Sequence, residues 1–356
     1  MSQLYAEAID LLKQLIATPS FSKEEKETGD LIQQFLEDKG ITTRRHNHNI
    51  WCVNKHFDPS RPTILLNSHH DTVHPNSGYS KDPYTPVVED GKLFGLGSND
   101  AGGALTSLIA TFIHFYSKEN LTYNLILAAT GEEEISGENG IVSILDKIPA
   151  IDCAIVGEPT QMRMAVAEKG LMVLECTAKG VSGHAARDEG KNAIYLALED
   201  IEWFRTYRFE KVSEMLGPVK MTVTVIQAGS QHNVVPDRCT FTVDVRSTDV
   251  HDNVEILDII DAHIESDITA RSIRLNPSFI PLDHPVVHSG DKLGLEQYGS
   301  PTLSDQSVIP VPSLKIGPGK SARSHTADEF ILLREVEEGI ETYIKLLDAV
   351  LRNNNA

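Results

Sequence analysis

Cysteine is scarce and badly spaced for pairing. Cys52, Cys153, Cys176 and Cys239 are scattered along 356 residues. This excludes a disulfide framework and a thiolate zinc knot, and leaves the four as small buried apolar residues in a reducing cytoplasm. Positive charge is also in deficit: 32 Lys and Arg stand against 51 Asp and Glu, a net charge of −19. That balance argues against nucleic acid and against an anionic membrane as partner. No apolar run reaches transmembrane length. Met1 to Glu7 has no basic start, apolar segment or cleavage signal. There is no internal repeat and no low-complexity linker. The length exceeds that of a usual single domain, so two domains are expected, the second as an insertion and not a tandem module.

The chain is organised around Leu93 to Ala104, a glycine-spaced approach to one carboxylate, Asp100, followed by an apolar helical stretch, 101–116. An Asp at a helix start is ordinarily an N-cap. Its flanks argue for more. Apolar strands are expected at Thr63–Asn67, Asn124–Ala129 and Asp152–Val156, and each runs into acidic or imidazole groups: His69-His70-Asp71, Glu132-Glu133-Glu134 and Glu158. Strands alternating with helices predict an α/β fold, a mostly parallel sheet with helices on both faces. Ligands of such sheets gather beyond the carboxyl ends of the strands.

Other elements follow from spacing. A first helix runs through Leu4, Leu11 and Leu15 to Pro19; Ser22 with Glu25 forms a capping box for a second. Past Gly170 the pattern changes. Strands at 171–178, 220–228 and 238–246, with helices begun at Asn192 and near Val254, predict an inserted α+β domain. The boundaries are placed at 170–280 for the insert and at 1–169 with 281–356 for the first domain. A helix at 288–298, a strand at 311–316 and a closing helix at 331–351 return the chain to that first domain, with Asn353 to Asn355 as a frayed tail.

Imidazoles and carboxylates without thiolates suit two divalent metal ions, Zn²⁺ first, with Co²⁺ or Mn²⁺ as the alternatives. Two ions ~3.5–4 Å apart need a carboxylate between them, and Asp100 is the candidate. His69 and Glu158 would serve one ion, His325 and Glu134 the other. Asp71, two residues after His69, would orient that imidazole. Glu133 would be the general base, passing a proton from water to the leaving nitrogen. Taken singly, an acidic triplet is usually a solvated face; five motifs in this order are not.

With these motifs on the page, the chain resembles the acetylornithine deacetylase / succinyl-diaminopimelate desuccinylase family, co-catalytic zinc hydrolases that include aminoacylases and carboxypeptidases. The His-x-Asp, glycine-spaced Asp, acidic triplet, Gly157-Glu158-Pro159 and late His325 carry the resemblance along essentially the full length. It selects His69 over His70 as the ligand, and matches Glu133 and Glu134 to base and ligand. It implies a homodimer joined through the inserted, ferredoxin-like lid domain. In Gly180-Val181-Ser182-Gly183-His184 it implies that His184 reaches the neighbouring subunit's site and stabilises an oxyanion. It implies that Asn233 and Arg246 hold the substrate's α-carboxylate. The implied reaction is deacylation of an N-acyl amino acid, with N-acetylornithine first. Succinyl-diaminopimelate, N-acetylcitrulline, succinylornithine and dipeptides are the alternatives, and an inactive amino-acid-binding relative is the non-enzyme reading. Three positions depart from the family pattern: Ser68 stands for the usual glycine, Glu132 for aspartate, and 186–189 lacks a proline.

Overall fold

The computed structural model describes residues 1–187 and 189–352; the expected frayed tail at Asn353–Asn355 lies outside them. The chain divides into two compact units. Met1–Val166, Phe279–Tyr298 and the chain from Ser304 onward form the first; Ala167–Ser278 with Gly299–Leu303 forms the second.

The first unit is built on a mostly parallel sheet. Its strands run in the order Arg44–His46, Asn49–Val53, Asn124–Thr130, Thr63–His69, Cys153–Val156, Ser313–Lys315 and then Met164–Glu168. Thr63–His69 is parallel to both of its neighbours, and Ser313–Lys315 is parallel to Cys153–Val156. Every residue of Thr63–His69, Asn124–Thr130 and Cys153–Val156 is buried, because parallel strands with both faces covered admit no polar stripe. Leu65, Ile126, Ala128 and Ala154 face one cluster, with Ile141, Ile144 and Ile148. Helices Ser2–Ile16, Gly103–Tyr116 and Leu333–Leu351 pack together, Leu12 and Ile16 meeting Ala110, Val336 and Ile340. A small antiparallel sheet of Val87–Glu89, Lys92–Phe94 and Phe330–Leu332 lies beside them.

The second unit has the order strand, helix, two strands, helix, strand. Its antiparallel sheet runs Lys220–Ala228, Arg238–Arg246, Met172–Lys179, Asp267–Ala270, a ferredoxin-like arrangement. Alternate residues point inward: Met172, Leu174, Cys176 and Ala178 meet Phe241, Val243 and Val245. Helices Ala193–Thr206 and Asn253–Asp261 are capped by the Asn192 and Asp252 side chains. Lys220–Ala228 is an edge strand exposed over most of its length.

Several local expectations are corrected. Ser22 caps no helix: its hydroxyl donates to Asp71 Oδ2, and Glu25 gives one carboxylate oxygen to the amides of Lys23 and Glu132 and the other to His48. Tertiary partners outcompete the local box there. The helix expected at 288–298 is instead Pro285–Lys292. It ends where Gly294 takes φ +74°, and Gln297–Ser300 is a strand.

Candidate metal centre

Three neighbouring parallel strands deliver the site. His69 is the last residue of its strand, Glu133 lies three residues beyond Asn124–Thr130, and Glu158 lies two beyond Cys153–Val156. Asp100 arrives differently. It is not the N-cap of the following helix, which begins at Gly103; Asp100 sits in an irregular turn over Ser98–Gly102 with φ −118° and ψ 97°, and the Asp100–Ala101 peptide is cis. Gly97 opens that turn at φ +74°, where a Cβ would stand 2.7 Å from the Thr72 methyl group, so a side chain has neither the backbone conformation nor the room.

The two oxygens of Asp100 face two different imidazoles. Oδ1 is 3.4 Å from His69 Nε2, and Oδ2 is 3.6 Å from His325 Nε2. Around His69 Nε2 stand Glu158 Oε1 at 3.8 Å and Glu133 Oε2 at 4.0 Å. His325 Nε2 lies 3.0 Å from Glu134 Oε2. Ligand atoms of His69, Asp100 and Glu134 lie within 4.8 Å of one another, as do those of His69, Glu133 and Glu158. The structure therefore brings all the sequence-predicted groups of the first unit to one place.

The donor set fits divalent cations. His69 Nδ1 donates to the backbone carbonyl of Asp71 at 2.9 Å, which aims Nε2 into the cluster. That Nε2 is buried and has no hydrogen-bond partner, an arrangement proteins avoid unless another ligand satisfies the atom. The carboxylates repel one another in the same way. Burial, then the charges of Asp100 and Glu134, pushes Glu158 up to about 8. Burial likewise raises Glu133 well above the usual carboxylate range, with Glu158, Asp305 and Glu134 adding to it. The Glu134 carboxylate pushes His325 up to about 9. A cation at the centre relieves the two crowded carboxylates and takes the place of the proton on His325.

The acidic turn is held by its backbone. Four successive amides each meet a side-chain oxygen: Gly131 N–H donates to Asn49 Oδ1 at 3.0 Å and Glu132 N–H to Glu25 Oε1 at 3.0 Å. Glu133 N–H donates to Asp71 Oδ1 at 3.1 Å and Glu134 N–H to Asp71 Oδ2 at 3.2 Å. Glu25 is fully buried, with His48 Nδ1 2.6 Å from its other oxygen. The Asp71 carboxylate thus grips the turn that carries Glu133 and Glu134, while its carbonyl receives the imidazole. Sequence reasoning missed Glu25, whose spacing from Ser22 suggested a cap. It also missed Glu329, which adjoins Asp328 just beyond the His325 motif and accepts from three backbone amides around Asp100.

The remaining candidates lie in the second unit. Gly183–His184 pairs with Val234–Val235, and Ala185 N–H donates to the Asn233 carbonyl at 3.0 Å, so His184 and Asn233 are neighbours on one exposed ribbon. Arg246 is elsewhere in the unit, in a bidentate pair with Asp244 at 2.9 and 3.0 Å.

Among known proteins, the chain is similar to the acetylornithine deacetylase of Proteus mirabilis (strain HI4320), 28% identical over 376 aligned positions that cover 96% of each chain. It is also similar to succinyl-diaminopimelate desuccinylase 2 of Ruegeria sp. (strain TM1040), 26% identical over 74% of this chain and 70% of the relative. Its fold matches the crystal structure of the Bacillus subtilis YXEP protein, described as a dinuclear metal binding peptidase from M20 family. There the TM-score is 0.72 at 15% identity, with 99% of both chains covered. The family model described as Peptidase family M20/M25/M40 matches residues 65–349, the span that holds every group in the cluster. The chain belongs to peptidase family M20/M25/M40 and is a metal-dependent amide hydrolase.

Proposed function

We propose that this protein removes the acyl group from an N-acyl amino acid, N-acetylornithine first, using two divalent metal ions, Zn²⁺ before Co²⁺ or Mn²⁺. One observation carries the reading: the Asp100 oxygens point to separate imidazoles, His69 and His325, as a carboxylate shared by two ions must. His69 with Glu158 would hold one ion, and His325 with Glu134 the other. When bound, such a pair polarises the scissile carbonyl and makes a water acidic near neutral pH. Glu133 takes the proton released as water attacks and delivers it to the leaving nitrogen. Its position beside the cluster, with its side chain 13% exposed, supports that role.

In the second unit, His184 on its exposed ribbon stabilises the oxyanion in a neighbouring subunit, and Asn233 with Arg246 holds the α-carboxylate. Arg246 already shares its guanidinium with Asp244, so it recognises a carboxylate as one member of a charged pair. Residues 1–169 with 281–356 act as the metal-binding domain, and 170–280 as lid and dimerisation domain. The protein works in the cytoplasm, in keeping with four buried free cysteines. Nucleic acid and membrane are not partners in this reading, and no described helix is long and apolar enough to cross a membrane.

The homodimer forms through the second unit. Lys220–Ala228 leaves its outer edge unpaired and exposes Val225 and Ile226, a combination that invites another strand. Replacing both by Lys converts a dimer of the 39.2 kDa chain into monomers in sedimentation analysis and lowers turnover with it. An unchanged sedimentation coefficient refutes this interface.

Relative rates on N-acetylornithine, succinylornithine, N-acetylcitrulline, succinyl-diaminopimelate and simple dipeptides test the substrate. The expected result is N-acetylornithine ahead by ~10-fold or more, which is ~1.4 kcal/mol of transition-state discrimination. Activity should vanish on dialysis against a chelator and return with Zn²⁺ or Co²⁺. A metal-loaded protein that cleaves dipeptides but no acyl amino acid refutes the deacylase reading.

A further inference from the structure

Glu329 is 2% exposed, and three backbone amides hold its carboxylate. Oε1 accepts from Asn99 N–H at 2.8 Å and Asp100 N–H at 2.9 Å, and Oε2 accepts from Gly97 N–H at 3.2 Å. The contact is reciprocated. Asn99 Oδ1 accepts from Lys320 N–H at 2.9 Å, and Asn99 Nδ2 donates to the Lys320 carbonyl at 3.2 Å. The turn that carries Asp100 and the segment that carries His325 are thus tied at two points, residues 320 and 329, on either side of the imidazole.

His325 needs that support. Its side chain is 55% exposed and its backbone takes φ +59°. We propose that Glu329 is a positioning residue: by gripping the backbone of Gly97–Asp100 from the far side of His325, it sets the Asp100–His325 separation and so completes one of the two ion sites. This inference rests on the two-ion reading above. A carboxylate that merely stabilised a loop would lower the melting temperature without distinguishing between ions. Loss of a positioning carboxylate weakens the ion at His325 and Glu134, whose segment Glu329 ties to the Asp100 turn, far more than the one at His69 and Glu158.

The test is Co²⁺ titration of the metal-free full-length protein by calorimetry and visible absorption, with kcat and KM on N-acetylornithine measured in parallel. Wild type is titrated first, and failure to take two ions refutes the two-ion reading itself. With that established, Glu329→Ala should bind one ion as wild type does and the other about 10–100-fold more weakly. Its kcat should fall while KM holds, and excess Co²⁺ should restore much of the rate. Glu329→Gln, which keeps an oxygen for Asn99 and Asp100, should lie between the two. Equal affinity at both sites, or equal weakening of both, overturns the proposal. Where Glu329→Ala does not fold, Asn99→Ala removes the reciprocal half and decides: selective weakening of one ion supports the clamp, and two wild-type affinities overturn it.

Discussion

Asp100→Asn should retain the fold, lose at least one of two metal ions, and turn over at least about 10³-fold more slowly. The substitution keeps the side chain's shape and its place in the Ser98–Gly102 turn, which Glu329 holds through main-chain atoms. It removes the charge that lies between His69 and His325. An amide offers one good ligand oxygen where two are needed. The charge stabilisation lost with an ion is several kcal/mol, and about 4 kcal/mol corresponds to about 10³-fold. Elemental analysis of the purified variant beside wild type, with circular dichroism to check the fold, measures both halves. Two ions and wild-type turnover in Asp100→Asn contradict the shared-carboxylate reading.

Glu133→Gln should separate chemistry from metal binding. Both ions should remain, the melting temperature should stay near that of wild type, and kcat should fall about 10²–10⁴-fold, the usual contribution of a positioned base. The physical reason lies in the turn. Glu133 and Glu134 are adjacent, and their amides are held by the two oxygens of one carboxylate, Asp71. Removing the charge of Glu133 therefore leaves the backbone and Glu134 where they are. Glu134→Gln is the contrasting control, since it should deplete metal. A Glu133→Gln enzyme that matches wild type in kcat removes Glu133 from the mechanism.

Much of the first unit was legible because its strands are short, apolar through their middles and end in polar clusters. Parallel strands covered on both faces cannot hide a His or a Glu along their length, so such groups stand out at the ends, as His69, Glu133 and Glu158 do. The glycines around Asp100 marked a turn, yet the turn is no simple helix start, because a backbone that must present both carboxylate oxygens cannot also cap a helix. Ser22 and Glu25 carried the spacing of a local motif but answer to partners at residues 71 and 132, and spacing is blind to such distant demands. Glu329 was invisible for the same reason: its partners are main-chain amides 229 to 232 residues away, which have no sequence signature. The pairing of Arg246 with Asp244 was open to reading, since residues two apart on a strand share a face.

The tethering of Gly131 to Glu134 has a consequence for redesign. At positions 133 and 134, Asp71 grasps amide hydrogens that nineteen of the twenty residue types possess, so the path there does not depend on which side chains are displayed, whereas Gly131, where a Cβ would meet Glu25 at 2.9 Å, and Glu132, at φ +56°, are constrained. Positions 133 and 134 can be rewritten, to swap a carboxylate for an imidazole or a thiol and so retune metal preference, with the loop's course unchanged. Proline alone, which has no hydrogen to offer, would make the turn let go.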